Sequence, residues 1–150
     1  MKNLLNTSED KSILLIRLLV GLVFLSEGIQ KFLFPELVGV GRFEKIGFAN
    51  PAFWSYFTAC FEIACGLLVS LGLWIRVSSI PLLIIMIVAF FSTKIPVLLH
   101  KGFWQFAHEY RTDFAMTISL IFLIIKGSGF YSIDYRIFKK KNTSGQSKET

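Results

Sequence analysis

The sequence predicts an all-α integral membrane protein, folded as a four-helix bundle with both termini in the cytoplasm. Of its 150 residues, 53% are hydrophobic and 17% are charged, and a soluble domain of that length needs more polar surface. The hydrophobic residues fall into four long runs, as expected for helices that cross a bilayer. Ten of the sixteen lysines and arginines fall on the side of the alternating topology that holds both termini, which predicts a cytoplasmic location for that side.

The four runs cover residues 13–33, 52–73, 77–99 and 113–125. A helical crossing of the hydrocarbon needs about 20 apolar residues, and three runs reach that length. The fourth run is too short unless the aromatic segment 102–110, which is typical of an interfacial belt, joins its start. Little of the chain lies outside the runs, so we expect them to form one domain.

Prolines and glycines mark the predicted ends of the helices. Pro35 ends the first helix, and Asn50 followed by Pro51 begins the second. Residues 75–76 are predicted to be a very short turn, which makes the second and third helices antiparallel neighbours. Pro96 kinks or ends the third helix.

The chain is divided into a polar N-terminal segment (1–12), the membrane domain (13–134) and a basic tail (135–150) that we expect to be disordered and cytoplasmic. The net charge of +6 is concentrated directly after the last run, at Arg136 and Lys139–Lys141. A basic cluster beside a membrane helix favours anionic lipid rather than nucleic acid. The sequence thus predicts a multi-pass protein of the inner (cytoplasmic) membrane.

One face of the first helix carries Arg17, Gly21, Gly28 and Lys31, because these residues are spaced near multiples of the helical period. Glycines let a second helix approach closely, so Gly21 and Gly28 are predicted helix-packing residues, together with Gly66 of the second run. The two cations either extend toward the headgroups or pair with acids inside the bundle. Both interpretations stay open at this stage.

Glu62 lies near the middle of the second run, with 11 uncharged residues before it and 13 after it. An ionised carboxylate facing lipid at that depth is costly, so Glu62 should face the bundle and be paired or protonated. It is either a structural clamp between helices or part of a ligand or proton site.

Alternating helix direction places several further charged residues at a similar depth. Glu27, Lys31, Lys94 and Asp113 all fall in the outer half of the bilayer, with Glu62 just below them. We therefore predict an intramembrane polar pocket formed by these five residues, open toward the outside and closed on the cytoplasmic side.

The residues that usually bind cofactors are sparse. Haem ligands would lie within helices and zinc needs more donors than His100 and His108 supply, so we predict no metal site. Cys60 and Cys65 point away from each other on a helix and cannot easily form a disulfide. No nucleotide-binding loop or catalytic constellation is evident, and this argues against an autonomous enzyme without deciding the question.

Four motifs in order resemble a known family. They are Arg17-x3-Gly21-x2-Phe24-x3-Gly28-x2-Lys31-Phe32, Phe43-Glu44-Lys45-Ile46-Gly47-Phe48, Glu62-x3-Gly66-x5-Gly72-x3-Arg76, and Gly127-Ser128-Gly129-Phe130-Tyr131-Ser132-Ile133-Asp134. Over residues 13–134 the chain resembles the DoxX family of small four-helix membrane proteins. The family usually has a proline where Ser128 stands, a departure that affects one turn.

The resemblance implies a function more loosely than a fold. Some DoxX relatives are described as subunits of quinol or thiosulfate:quinone oxidoreductases, and others are linked to oxidative-stress complexes. The favoured hypothesis is an accessory subunit of a membrane redox assembly, with quinone as the candidate cofactor, a redox protein as the candidate partner and the lipid bilayer as its surroundings. Two alternatives stay open: a small-molecule or proton-linked carrier that acts as a homo-oligomer, and a purely structural membrane protein.

Overall fold

The computed structural model describes residues 10–137, and over this range the chain is helical and contains no strand. We number the helices in chain order. They are α1 (Ile13–Leu33), α2 (Val40–Lys45), α3 (Pro51–Leu71), α4 (Ile75–Ala89), a π-helical segment (Phe90–Lys94), α5 (Ile95–Lys101) and α6 (Phe103–Lys126). The prediction of an all-α membrane protein is confirmed.

Three helices of the described range are long and apolar enough to cross a membrane: α1, α3, and the continuous helix Ile75–Lys101 that contains α4, the π segment and α5. Helix α6 has 24 residues, but its first half carries Glu109, Arg111 and Asp113. It begins in the aromatic segment, as the sequence predicted, and packs against α4 and α5. The fourth crossing and the cytoplasmic location of the termini stay predictions.

Two details of the third helix differ from the sequence prediction. Residues 75–76 are not a turn, because α4 begins at Ile75 and the chain reverses at Gly72, whose φ of +74° suits glycine. Pro96 does not end the helix. It stands in the first turn of α5, directly after the π segment, where its missing N–H is tolerated.

Helices α1 and α3 pack closely along small residues. A methyl group added at Gly28 would lie 2.8 Å from the carbonyl oxygen of Ala59, and one added at Gly66 would lie 2.8 Å from the backbone nitrogen of Leu25. Only hydrogen fits at such positions, as is common where membrane helices cross. This contact fixes the register of α1 against α3 and therefore the relative positions of their charged residues.

The bundle interior also contains an apolar core, and the outer surface of the bundle is apolar as well. The core contains Val20, Phe24, Val69, Leu82 and Leu120. Within its most apolar 18-residue stretch, the helix Ile75–Lys101 has only 6% of its residues buried, whereas the corresponding stretches of α1 and α3 each have 33%. This helix therefore presents most of its side chains to the surroundings, as expected for a lipid-facing element.

Arg17 closes the bundle at the end where α1 begins. Its side chain is 3% exposed, and its guanidinium donates hydrogen bonds to the carbonyl oxygens of Ser128 at 2.7 Å and Ser70 at 3.2 Å. Arg17 thus pairs inside the bundle rather than extending toward the headgroups. It ties α1 to the end of α3 and to the chain after α6.

Asp134 caps α4 at the same end of the molecule. Its carboxylate accepts hydrogen bonds from the backbone N–H groups of Trp74 at 3.0 Å and Ile75 at 3.4 Å, and it is 3% exposed. The first N–H groups of a helix have no partner within the helix, and a carboxylate there also interacts favourably with the helix dipole.

Replacing Asp134 with Ala is expected to destabilise the protein by about 1–2 kcal/mol, because the part-buried N–H of Trp74 and the buried N–H of Ile75 lose their acceptor. The change in the midpoint of thermal unfolding is measured on the purified protein in detergent, with loss of the monodisperse elution peak as the readout. Asp134→Asn keeps one acceptor oxygen, so its unfolding midpoint should lie between those of the wild type and Asp134→Ala. An unchanged midpoint in Asp134→Ala would contradict this capping role.

Several predicted features lie outside the described residues. These are most of the polar N-terminal segment (1–9) and most of the basic tail (138–150), which includes Lys139–Lys141.

Candidate functional site

A cavity of about 410 Å³ lies between α1, α3, α4 and α6 and is bordered by the loop that holds α2. Its volume is within the usual range for small-molecule sites. Most of its lining is apolar, from residues such as Val23, Ile84, Ile85 and Met116. The polar and charged residues that line it are Glu27, Lys31, Arg42, Thr58, Glu62, Ser92, Thr93, Thr112 and Asp113.

The deepest polar feature of the cavity is an ion pair between α1 and α3. The Nζ atom of Lys31 lies 2.6 Å from Oε2 of Glu62, and the two side chains are 10% and 5% exposed. A charged hydrogen bond is stronger than a neutral one, and this one joins two side chains that are almost fully buried. Lys31 therefore does not extend to the headgroups. Its ion-pair partner is Glu62 on the neighbouring helix rather than Glu27, one turn away on α1.

A second ion pair joins the π segment to α6. Lys94 Nζ lies 3.0 Å from Oδ2 of Asp113 and also donates to the carbonyl oxygen of Glu109 at 2.9 Å. Asp113 lines the cavity, whereas Lys94 lies behind it and is not part of the lining. The π segment also supplies Ser92 and Thr93 to the cavity wall, and single π turns inside α-helices are frequent at functional sites.

Glu27 and Arg42 also line the cavity, but neither makes an ion pair or a side-chain hydrogen bond with the residues described here (10–137). Glu27 is half-buried on α1, and Arg42 is exposed on α2. Both are close enough to the Glu62 carboxylate to interact with it electrostatically. The cavity thus holds one acid and one cation whose hydrogen-bonding groups are available.

Four aromatic rings form one side of the cavity, and we call them the aromatic wall: Phe43, Phe48, Trp54 and Phe57. Each ring contacts the next edge to face, with centroids 5.3 Å, 6.3 Å and 5.8 Å apart in chain order. Such a wall offers both ring faces and edges to a planar ligand. Phe43 and Phe48 come from the loop between α1 and α3, so this loop is part of the site.

The structure therefore brings Glu27, Lys31, Glu62 and Asp113 to one cavity and places Lys94 behind Asp113. Sequence reasoning missed Arg42 and the aromatic wall, because Arg42, Phe43 and Phe48 lie between the first two apolar runs, outside the predicted membrane helices. The available signal was the series of aromatic and apolar residues in that loop, which alternates with charges. Whether the five predicted residues bind a ligand stays a prediction.

Metal ligands do not cluster in the described part of the chain: no three His, Cys, Asp or Glu side chains there are placed to hold an ion. Cys60 is exposed and Cys65 is buried, and both are free thiols. The functional groups that line the cavity are carboxylates, cations, hydroxyls and aromatic rings.

Comparison with known proteins supports the family resemblance. The sequence model of the DoxX family matches residues 12–95. The "Uncharacterized membrane protein Rv3486" of Mycobacterium tuberculosis is 47% identical over 148 residues, which cover 95% of this chain and 91% of that protein. A Bacillus subtilis protein named "Putative oxidoreductase CatD" is 30% identical over 139 residues, or 92% of this chain and 96% of its own length.

No solved structure shows significant similarity to this chain. The family match covers more than half of the sequence, and the two relatives extend the similarity through α6, which the family model does not reach. The chain is a membrane protein with several apolar helices, and it belongs to the DoxX family.

Proposed function

We propose that this DoxX-family protein is an accessory subunit of a membrane redox assembly and that its cavity binds a quinone. The observation that carries the proposal is the cavity itself, which combines an aromatic wall with charged groups. A quinone has the matching parts: a planar ring that packs against aromatic side chains, and oxygens that accept hydrogen bonds from cations. The name of the Bacillus subtilis relative, which includes the word oxidoreductase, points in the same direction.

The proposed setting is the inner membrane of the cell, with four crossings and both termini cytoplasmic. The excess of Lys and Arg on the side of the termini supports this orientation. In it, the Arg17 end of the bundle faces the cytoplasm. On α1 the cavity begins at Val23 and reaches Lys31, which lie about 9 Å and 21 Å from the level of Arg17 at 1.5 Å per residue.

The proposal is tested by titrating the detergent-solubilised full chain with duroquinone, a soluble tetramethyl-benzoquinone. Trp54 lines the cavity, so a bound quinone should quench its fluorescence in a saturable way. Ala89→Phe places a ring in the cavity wall and should weaken binding about tenfold or more. Ala64→Phe makes the same change at an exposed position of α3 outside the cavity and should leave the affinity unchanged.

Non-saturable quenching, equal to that of free tryptophan in the same micelles, would contradict quinone binding. So would equal affinities for Ala89→Phe and the wild type, provided that both elute as monodisperse peaks. Co-purification of a soluble oxidoreductase from gently solubilised membranes tests the accessory role separately.

A further inference from the structure

Five charged groups line the cavity: the bonded pair Lys31 and Glu62, Asp113, which is paired with Lys94, and two groups that remain available. Lys31 and Glu62 bond each other at 2.6 Å, while the side chains of Glu27 and Arg42 have no hydrogen-bonded partner among residues 10–137. Counted together with Lys94, the partner of Asp113, these groups balance in charge, with three cations and three acids. The carboxylate of Glu27 therefore does not leave the cluster with excess charge.

A carboxylate has only acceptor atoms, and a guanidinium has only donors. A quinone also has only acceptors, its two carbonyl oxygens, so it finds a donor at Arg42 and a repulsive contact at Glu27. A hydroquinone carries two hydroxyl groups. One can donate to Glu27 while the oxygen of the other accepts from Arg42.

We infer that the cavity binds the hydroquinone form in preference to the quinone, and that Glu27 is the acceptor that distinguishes them. The inference rests on the proposed function, because it specifies which redox form the same site prefers. The available acceptor at Glu27 carries it: Glu27 is half-buried, and a ligand that covers its carboxylate without offering a matching donor loses binding energy.

The test compares duroquinone with its reduced form, durohydroquinone, on the full chain in detergent micelles without oxygen. We expect the wild type to bind durohydroquinone about tenfold more tightly or better. A tenfold preference for the reduced form raises the two-electron reduction potential of the bound couple by about 30 mV. An electrochemical titration of the bound quinone gives this second readout without any enzyme activity.

Glu27→Gln is the informative variant, because a side-chain amide both donates and accepts. It should bind the two redox forms with similar affinity and remove the shift in potential. Glu44→Gln is the matched control, since Glu44 is exposed on α2 and does not line the cavity. That variant should keep the wild-type preference.

The outcomes separate the two proposals. If neither redox form binds the wild type, the proposed function fails, and this inference fails with it. If both forms bind the wild type equally, quinone binding stands and the inference is overturned. A preference that persists in Glu27→Gln would also overturn it, because the discriminating acceptor would then be another group. Loss of the preference in that variant alone supports it.

Discussion

Lys31→Met is expected to destabilise the protein by about 3–5 kcal/mol, since it leaves the Glu62 carboxylate buried without its partner. The effect is large because Glu62 is 4% exposed and lies near the middle of α3, where water cannot replace the lost hydrogen bond. Glu62→Leu should have an effect of similar size, because it leaves the Lys31 ammonium unpaired. Thermal unfolding in detergent, or reversible unfolding by added SDS, measures both changes.

The double variant Lys31→Met/Glu62→Leu is the control. A buried ion pair can often be replaced by apolar residues at little net cost, so the double variant should recover most of the stability lost in either single variant. If the effects of the two single variants were simply additive, the two side chains would not form the close pair seen here. The double variant also separates structural from ligand-binding roles, because a folded protein without the pair can still be titrated with duroquinone.

The sequence predicted the helices well because their length and composition are set by the hydrocarbon core. The run 13–33 coincides with α1, and the depth argument correctly indicated that Glu62 faces the bundle, where it is buried. Depth alone could not identify its partner. Lys31 is 31 residues away, and its distance from Glu62 depends on the register that the contact between α1 and α3 imposes.

Other parts of the site could not be predicted for different physical reasons. The π segment has no distinctive composition. Nothing in residues 90–94 therefore predicted that Ser92 and Thr93 would line the cavity. The contribution of Arg42 depends on how the loop that carries α2 packs against α3. A six-residue helix is too short to show a periodic pattern from which such packing could be predicted.

Gly66→Ala is expected to destabilise the protein by about 1–3 kcal/mol, although alanine is the better helix former. The added methyl group would lie 2.8 Å from the backbone nitrogen of Leu25 and 2.9 Å from the carbonyl oxygen of Gly21. Both are backbone atoms of α1, which cannot rotate aside as a side chain could. Helices α1 and α3 must therefore separate, and every contact between them weakens. The midpoint of thermal unfolding in detergent should fall accordingly.

Ala64→Gly on the exposed face of the same helix isolates the intrinsic preference, which costs up to about 1 kcal/mol in a helix interior. If intrinsic preference dominated, Gly66→Ala would gain roughly what Ala64→Gly loses. We expect losses in both, and a gain in Gly66→Ala would contradict the close contact. The contact between α1 and α3 also sets the register of Lys31 against Glu62. Gly66→Ala should therefore reduce the energetic coupling of that pair in a double-mutant cycle. Unchanged coupling would show that the ion pair holds its own register without the glycine contact.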